Sequence, residues 1–172
     1  HMKVEIDDAS IIEFSKILKN IFEKIQPTEN TLVLRDYHVD NLFYLNERNY
    51  IKSVGIIDFQ DALFGPTSYD LISILEDVRR PISSELTNEM INYYIQEVDE
   101  NREQIILETE FFSIQRNLKI LGIFCRLNYR DNKTHYLSML PRSLEFIQKH
   151  IKKEPYSELN KRMSSFNIIL KT

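Results

Sequence analysis

Three polar residues at the ends of short apolar segments have the types and the spacing that phosphoryl transfer requires. Asp36 and Asn41 lie five positions apart, after the apolar run 31–34, and Asp58 directly follows the apolar run 53–57. If these runs form neighbouring strands, the strands lie about 5 Å apart and the three side chains converge. An aspartate that accepts or steers a hydroxyl proton, with Asn and Asp oxygens on Mg²⁺, is a minimal set for this chemistry.

The alternative is that the same three residues are ordinary turn residues. Asp and Asn favour loops because their side chains hydrogen-bond to nearby backbone. For a single residue this interpretation is preferred. Three such residues, each at a strand end and surrounded by apolar segments, favour the functional interpretation, since loops between strands often carry function.

The elements that must position these residues are a short antiparallel β element and a series of helices. Residues 9–25 predict an amphipathic helix whose first turn contains Ser10 and Glu13 as a capping box. Three apolar runs predict strands, the last two of them a hairpin: 31–34, 42–45 and 53–57. Helical periodicity then predicts four helices, at 67–79, 86–98, 103–129 and 137–151. The predicted fold class is α+β and mostly α.

The composition is that of an ordinary globular domain. The chain has 172 residues, of which 42% are hydrophobic and 28% are charged. A net charge of −4 argues against nucleic-acid binding, and no apolar run is long enough to span a membrane. The single cysteine, Cys125, and the lack of a secretory signal predict a cytoplasmic protein. Residues 1–2 are interpreted as a tag remnant, which leaves 3–172 as a single lobe.

The chain has only three glycines, Gly55, Gly65 and Gly122. No two of them lie within the span of about six residues that a glycine-rich phosphate loop requires. Any nucleotide chemistry must therefore use something other than a glycine-rich phosphate loop. Gly122 interrupts the long predicted helix at a cost of about 1 kcal/mol relative to Ala, which predicts close approach of another element at that position.

Several segments resemble a known family. Arg35–Asn41 followed by Ile57–Ala62 resembles the catalytic and metal-binding segments of the aminoglycoside phosphotransferase family, which shares the protein-kinase-like fold. Gly65–Leu71 is similar to the family segment that opens the next helix. Gln115–Phe124 and shorter matches after it resemble the bacterial branch that phosphorylates cell-wall amino sugars, such as N-acetylmuramate and N-acetylglucosamine, at the anomeric hydroxyl. The resemblance covers most of residues 31–150.

The resemblance implies roles for individual residues and a set of cofactors. Asp36 matches the catalytic aspartate, which orients and deprotonates the acceptor hydroxyl, and Asn41 and Asp58 match the Mg²⁺ ligands. ATP and Mg²⁺ are the implied cofactors. Asp70 matches an aspartate that more often braces the catalytic loop than contacts substrate. One departure is Leu34, which stands where the wider kinase pattern has a histidine.

Other polar residues are weaker candidates with two readings each. His38 either contacts phosphate or substrate or hydrogen-bonds to backbone. Asp61 either contacts substrate or braces the loop. Four cations of the long helix fall within a sector of about 80°: Arg116, Lys119, Arg126 and Arg130. Asp70 and Asp77 likewise share one helix face. Either these two stripes pair with each other, or part of the cationic one binds an anionic group such as a sugar-acid carboxylate.

The predicted function follows from the resemblance and from what precedes residue 31. In this fold an amino-terminal lobe covers the ATP phosphates, and the thirty residues before Thr31 predict only one helix. We therefore expect the carboxy-terminal lobe alone, an ATP- and Mg²⁺-dependent phosphotransferase for a small sugar substrate that is inactive by itself. Its surface for the missing lobe should be apolar and exposed, which favours self-association.

Two other function classes remain as alternatives to the phosphotransferase. The first is a non-catalytic, pseudokinase-like binding or scaffold module, which would have no reason to bind Mg·ATP. The second is a metal-dependent hydrolase, which ranks lower because the sequence lacks the clustered ligand spacing of such sites.

Overall fold

The protein is mostly helical and contains two small antiparallel sheets. The computed structural model describes residues 6–27, 30–98 and 101–166, so the predicted tag remnant lies outside the described residues. The helices are α1 (Asp8–Ile25), α2 (Ser68–Leu75), α3 (Ser84–Glu97), α4 (Arg102–Asp131), α5 (Leu140–His150) and α6 (Ser157–Ser165). The strands are β1 (Asn30–Val33), β2 (Leu42–Tyr44), β3 (Val54–Ile56) and β4 (Leu63–Pro66). The predicted α+β, mostly α class is confirmed.

The chain divides into two compact units. One contains His1–Pro27 and Glu110–Thr172, and the other contains Thr28–Thr109. The first unit is helical, with α1, α5, α6 and the larger part of α4. The second holds all four strands, α2, α3 and the start of α4. In the part of the chain that the structure describes, no helix is both long and apolar enough to cross a membrane.

The two sheets are both antiparallel pairs in the second unit. β1 pairs with β4, with Leu32 opposite Phe64, and β2 pairs with β3, with Tyr44 opposite Val54. The predicted hairpin and the predicted strand before it are confirmed. β4 was not predicted, because its sequence ends in Gly65 and Pro66, residues that normally argue against a strand.

The starts or ends of α1 and α2 differ from the predictions. The amino-terminal cap of α1 is Asp7, whose Oδ1 accepts a hydrogen bond from the Ser10 backbone N–H at 2.9 Å. The predicted capping box on Ser10 is therefore wrong, since the helix has already begun at Asp8. The helix predicted from Thr67 also ends earlier than expected, at Leu75.

Gly122 lies on an open part of α4. Among the residues that the structure describes, none outside the local helix backbone would lie within 4 Å of a Cβ atom built at this position. The predicted close approach of another element at Gly122 is wrong, and the residue has no packing reason to be glycine.

The helix α1 contributes a buried apolar face to the first unit. Ile17, Ile21 and Ile25 recur every four residues along one face of α1, and each is at most 4% exposed. On the same helix the Phe22 ring lies 5.6 Å from the ring of Phe111 of α4. The predicted amphipathic helix is confirmed and its buried face is formed by these three isoleucines, whereas Ile11 and Ile12 near its start are exposed.

A cluster of ionisable side chains lies within the first unit. Glu110 is buried, its Oε1 lies 3.4 Å from Nδ1 of His150, and it forms an ion pair with Nζ of Lys153. Burial acts to raise the pKa of Glu110, but His150 and Lys153 together hold that pKa below its ordinary value. Burial, and then the charge of Glu110, raise the pKa of the fully buried Tyr156.

We predict that Glu110→Gln destabilises the protein and changes how its stability depends on pH. Because the pKa of folded Glu110 is depressed, its charge stabilises the fold above the ordinary pKa of 4.5. That contribution disappears as the pH falls through the lower, folded-state pKa. The variant should lose about 1–3 kcal/mol of unfolding free energy at pH 7, and lose less than the wild type on acidification, as measured by denaturant titrations.

The matched control is Glu145→Gln, which neutralises an exposed carboxylate in the same unit. Its effect on the unfolding free energy should be small both at pH 7 and at acidic pH, because exposed charges contribute little. Equal losses in the two variants would contradict the assignment of the stabilisation to the Glu110 cluster.

Candidate active site

Asp36 lies in the loop that connects β1 to β2. Its backbone carbonyl accepts hydrogen bonds from the His38 backbone N–H at 3.1 Å and from Nδ2 of Asn41 at 2.9 Å. Among the residues that the structure describes, no donor hydrogen-bonds to the Asp36 carboxylate, which is half-buried. The backbone of Asp36 is thus fixed while its carboxylate is left available to a hydroxyl.

Asn41 is the buried residue at the end of the same loop, in the 3₁₀ turn Val39–Asn41 that leads into β2. One hydrogen of its amide group is donated to the Asp36 carbonyl. The Nδ2 atom also lies 3.5 Å from Nε2 of His38. Because the amide nitrogen is occupied on both sides, the amide oxygen is the atom of Asn41 left for another ligand.

Asp58 is brought next to Asn41 by the hairpin. The ladder between β2 and β3 continues into a hydrogen bond from the Ile57 backbone N–H to the Asn41 carbonyl, at 3.1 Å. Asp58 follows directly, with a left-handed backbone (φ of 62°) and an exposed carboxylate whose Oδ1 accepts from Nε2 of Gln60 at 2.6 Å. Non-glycine residues adopt this conformation mainly at turns and functional sites.

Asn41 and Asp58 fit a magnesium ion by the chemistry of their donor atoms. They offer one amide oxygen and one carboxylate, which are the hard oxygen ligands that Mg²⁺ prefers. Within the described ranges, no group of three or more His, Cys, Asp or Glu side chains is placed to hold a metal. A two-residue set is consistent with Mg²⁺, since this ion usually keeps water and phosphate oxygens as its other ligands.

Asp70 holds the backbone immediately before Asp36. Its Oδ2 accepts from the Leu34 backbone N–H at 2.6 Å, and its Oδ1 accepts from the Arg35 backbone N–H at 3.1 Å. Arg35 has a left-handed backbone (φ of 69°), and its Nη1 donates to the carbonyl of Asp61 at 3.3 Å. Asp61 therefore contacts the site through its backbone, whereas its carboxylate is exposed.

His38 faces Asn41 with one ring nitrogen. Burial, followed by the charge of Arg79, lowers the pKa of His38 below its ordinary value of 6.5, despite nearby aspartates that act to raise it. This environment disfavours the protonated ring. In the neutral ring, Nε2 is the nitrogen that can accept from the facing Asn41 amide.

Asp77 is the residue of this site whose contacts the sequence did not reveal. It is 1% exposed, and its Oδ2 accepts from the Val39 backbone N–H at 3.0 Å. The only signal in the sequence was its spacing of seven residues from Asp70, which placed the two carboxylates on one helix face. The predicted shared helix face is wrong, because α2 ends at Leu75 and Asp77 lies beyond it. Both carboxylates nevertheless accept hydrogen bonds from the loop between β1 and β2.

The four cations of α4 lie in the first unit, outside the unit that contains Asp36. They differ in exposure, since Arg116 is buried, Lys119 is half-buried, and Arg126 and Arg130 are exposed. Nε of Arg130 forms an ion pair with the adjacent Asp131 at 2.7 Å. The anion-binding role considered for this group stays a prediction.

We predict that Arg79→Gln raises the pKa of His38. The substitution removes the positive charge that disfavours protonation and leaves the carboxylates of Asp40 and Asp77, which favour it. The imidazole pKa is measured by an NMR titration of the His38 ring resonances. Arg79→Lys is the control, because it keeps the charge, and its His38 pKa should stay closer to that of the wild type. An unchanged pKa in Arg79→Gln would contradict the role given to this charge.

Known proteins are similar to the part of the chain that contains the loop between β1 and β2. Residues 2–105 match the phosphotransferase enzyme family. The chain is 33% identical over 140 residues to the N-acetylmuramate/N-acetylglucosamine kinase of Caulobacter vibrioides, covering 81% of this chain and 39% of that protein. It is 36% identical over 134 residues to the Neisseria meningitidis serogroup B kinase of the same name, covering 74% and 38% of the two chains.

A third kinase of that name, from Pseudomonas aeruginosa, is 27% identical over 173 residues, which cover 96% of this chain and 50% of the relative. The chain thus spans half or less of the length of these relatives. The resemblance expected from the motifs is confirmed, both to the family and to its amino-sugar kinases. Because the family match covers more than half of the chain, including Asp36, Asn41, Asp58 and Asp70, this protein belongs to the phosphotransferase enzyme family.

Proposed function

We propose that the chain is the carboxy-terminal lobe of an ATP- and Mg²⁺-dependent phosphotransferase that acts on a sugar or amino-sugar hydroxyl. The observation that carries this proposal is the Asp36 carboxylate, which receives no hydrogen bond from the described residues and lies beside the linked segments of Asn41 and Asp58. The named activity of the three similar kinases supports an amino sugar as the acceptor.

Asp36 is the proposed catalytic base. Its carboxylate orients the acceptor hydroxyl by accepting its hydrogen bond. It takes the proton as the oxygen bonds to the γ-phosphorus of ATP and the bond from that phosphorus to ADP breaks. The carboxylate has the freedom to do this because its own backbone carbonyl, not the side chain, takes the hydrogen bonds from His38 and Asn41. Asn41 and Asp58 would hold Mg²⁺, which when bound neutralises phosphate charge.

The rest of the ATP site is proposed to come from chain outside residues 1–172. The relatives are at least twice as long as the region they share with this protein. Residues 3–172 would then be one lobe of a two-lobed enzyme. By itself this lobe would hold the hydroxyl-activating and metal-binding residues without a cover for adenine and the triphosphate, and we expect it to be inactive.

We predict that fusing the amino-terminal part of one of these kinases to this chain yields ATP-dependent phosphorylation of N-acetylmuramate or N-acetylglucosamine, which the chain alone does not catalyse. In the fusion, Asp36→Asn should lower kcat by about 10²- to 10⁴-fold, because the proton acceptor is lost. Asp58→Asn should instead weaken Mg·ATP binding, measured by calorimetry, because a metal ligand is lost.

Glu47→Gln is the control in the same fusion, since Glu47 is an exposed carboxylate in the connection between β2 and β3. It should leave both kcat and Mg·ATP binding unchanged. A folded fusion that binds no Mg·ATP would overturn the phosphotransferase proposal and favour the scaffold module instead.

A set of exposed apolar side chains in the second unit supports the proposal of a second lobe. We call it the apolar β surface, and its members are Leu32, Phe43, Tyr44, Tyr50, Ile51, Val54, Ile56, Ile57, Phe59, Leu63 and Phe64. They lie on the strands and their connections, and Tyr50 and Ile51 between β2 and β3 are 94% and 86% exposed. Many exposed apolar side chains in one part of a protein mark an interaction site or favour association. We propose that the missing lobe covers it.

We predict that the chain alone associates with itself as its concentration rises, because the apolar β surface is uncovered. Replacing Tyr50 and Ile51 together by Ser should raise the monomer fraction in sedimentation velocity or gel filtration. Tyr129→Ser is the matched control, since Tyr129 is 91% exposed but lies in the other unit. A wild-type chain that stays monomeric at high concentration, or equal effects of both variants, would contradict this prediction.

A further inference from the structure

Asp77 has an environment that a surface helix residue does not need. It is 1% exposed and lies two residues beyond the end of α2, between the buried side chains of Glu76 and Val78. Its two carboxylate oxygens accept hydrogen bonds from different residues. Oδ2 accepts from the Val39 backbone N–H at 3.0 Å, and Oδ1 accepts from the Arg79 backbone N–H at 3.0 Å and from Nη1 of Arg79 at 3.2 Å.

Arg79 extends this contact to the neighbouring residue of the loop. Its Nε lies 3.0 Å from Oδ2 of Asp40, while its Nη1 stays on Asp77. One guanidinium therefore bridges a buried and an exposed carboxylate. Asp77 holds Val39 directly through its backbone and holds Asp40 through Arg79.

The contacts of Asp77 and Arg79 fall on the turn that leads to Asn41. Val39 and Asp40 are the first two residues of the 3₁₀ turn that ends at Asn41. Asp70 holds the other end of the same loop, at Leu34 and Arg35. The loop is thus fixed at two separate points.

A purely structural reading of Asp77 is incomplete. Burying a carboxylate is costly unless it is paired and hydrogen-bonded, and an apolar residue after α2 would satisfy the core without that cost. What a carboxylate adds at this position is an acceptor for the Val39 N–H and a fixed partner for Arg79. Both of these act on the turn that carries Asn41.

We propose that Asp77 is a positioning residue, which with Arg79 fixes the turn Val39–Asn41 and thereby the orientation of the Asn41 amide, independently of the contact that Asp70 makes. This inference rests on the proposed function, because there Asn41 is a metal ligand. Asp77 itself contacts neither substrate nor metal. Its effect on the reaction passes entirely through the turn.

The variant Asp77→Asn tests the proposal with little change of shape. The new amide keeps one acceptor oxygen, which should face Arg79 because that residue supplies two donors. Its NH₂ group then faces the Val39 N–H, which is also a donor. Asp70→Asn is the matched variant, because it makes the same change at the other end of the loop.

The first measurement is amide hydrogen exchange of the full 172-residue chain, followed by NMR. In Asp77→Asn the exchange of the Val39 N–H should accelerate about tenfold or more, which corresponds to the loss of one hydrogen bond to a charged group. The Leu34 N–H should change less than about twofold. Asp70→Asn should give the reverse pattern. Equal acceleration at both amides in either variant would overturn the independence of the two contacts.

The second measurement uses Mn²⁺ as a probe for the metal and follows the broadening of the Asn41 side-chain amide signals. Asp77→Asn should require several times more Mn²⁺ than the wild type for the same broadening, and Arg79→Gln should show a smaller effect in the same direction. Arg79→Gln also covers the case in which Asp77→Asn does not fold, since the Arg79 side chain is partly exposed.

The outcomes separate this inference from the proposed function. Unaltered Mn²⁺ broadening in both variants, with binding intact in the wild type, overturns the positioning role alone. No Mn²⁺ binding in the wild type overturns metal binding by Asn41 and Asp58 in the absence of nucleotide, and the Mg·ATP calorimetry of the fusion then tests the proposed metal site. The exchange rates of Val39 and Leu34 then still decide whether Asp77 holds the turn.

Discussion

The site depends on one constraint, the satisfaction of backbone N–H groups in a loop that has no ladder of its own. Unpaired backbone donors are expensive when water is excluded. Between β1 and β2, the N–H groups of Leu34, Arg35 and Val39 are taken by two carboxylates, those of Asp70 and Asp77. Because these side chains supply the acceptors, the loop keeps one conformation without using the Asp36 carboxylate for its own stability.

The acceptors are in turn fixed by the packing of α2 and the residues after it. Ile72, Leu75 and Val78 are buried at spacings of three residues, and their burial anchors this segment. A loop held by side chains of a packed helix is better fixed than one held by its own turns. The burial of these apolar side chains therefore contributes to the geometry of the polar site.

The local spacing of apolar residues was sufficient to predict the elements in which that spacing is regular, such as the hairpin, α3 and α4. It failed for β4, where Gly65 and Pro66 hide a strand that exists only through its pairing with β1. It also failed for α6, a polar helix whose two buried side chains, Leu159 and Met163, give too weak a pattern. Residue types and spacing selected Asp36, Asn41 and Asp58 as candidates. The contact of Asp77 with Val39 joins residues 38 positions apart, and no local pattern reports it.

The same loop shows how a carboxylate is kept free beside a cation. Arg35 is the neighbour of Asp36, and a guanidinium paired with that carboxylate would make it a poorer proton acceptor. Instead Arg35 has a left-handed backbone, and its Nη1 donates to the carbonyl of Asp61. Such a backbone costs about 1–2 kcal/mol for a residue other than glycine. The hydrogen bond from the Arg35 N–H to Asp70 offsets that cost, so the contact that orders the loop also supports the strained residue next to Asp36.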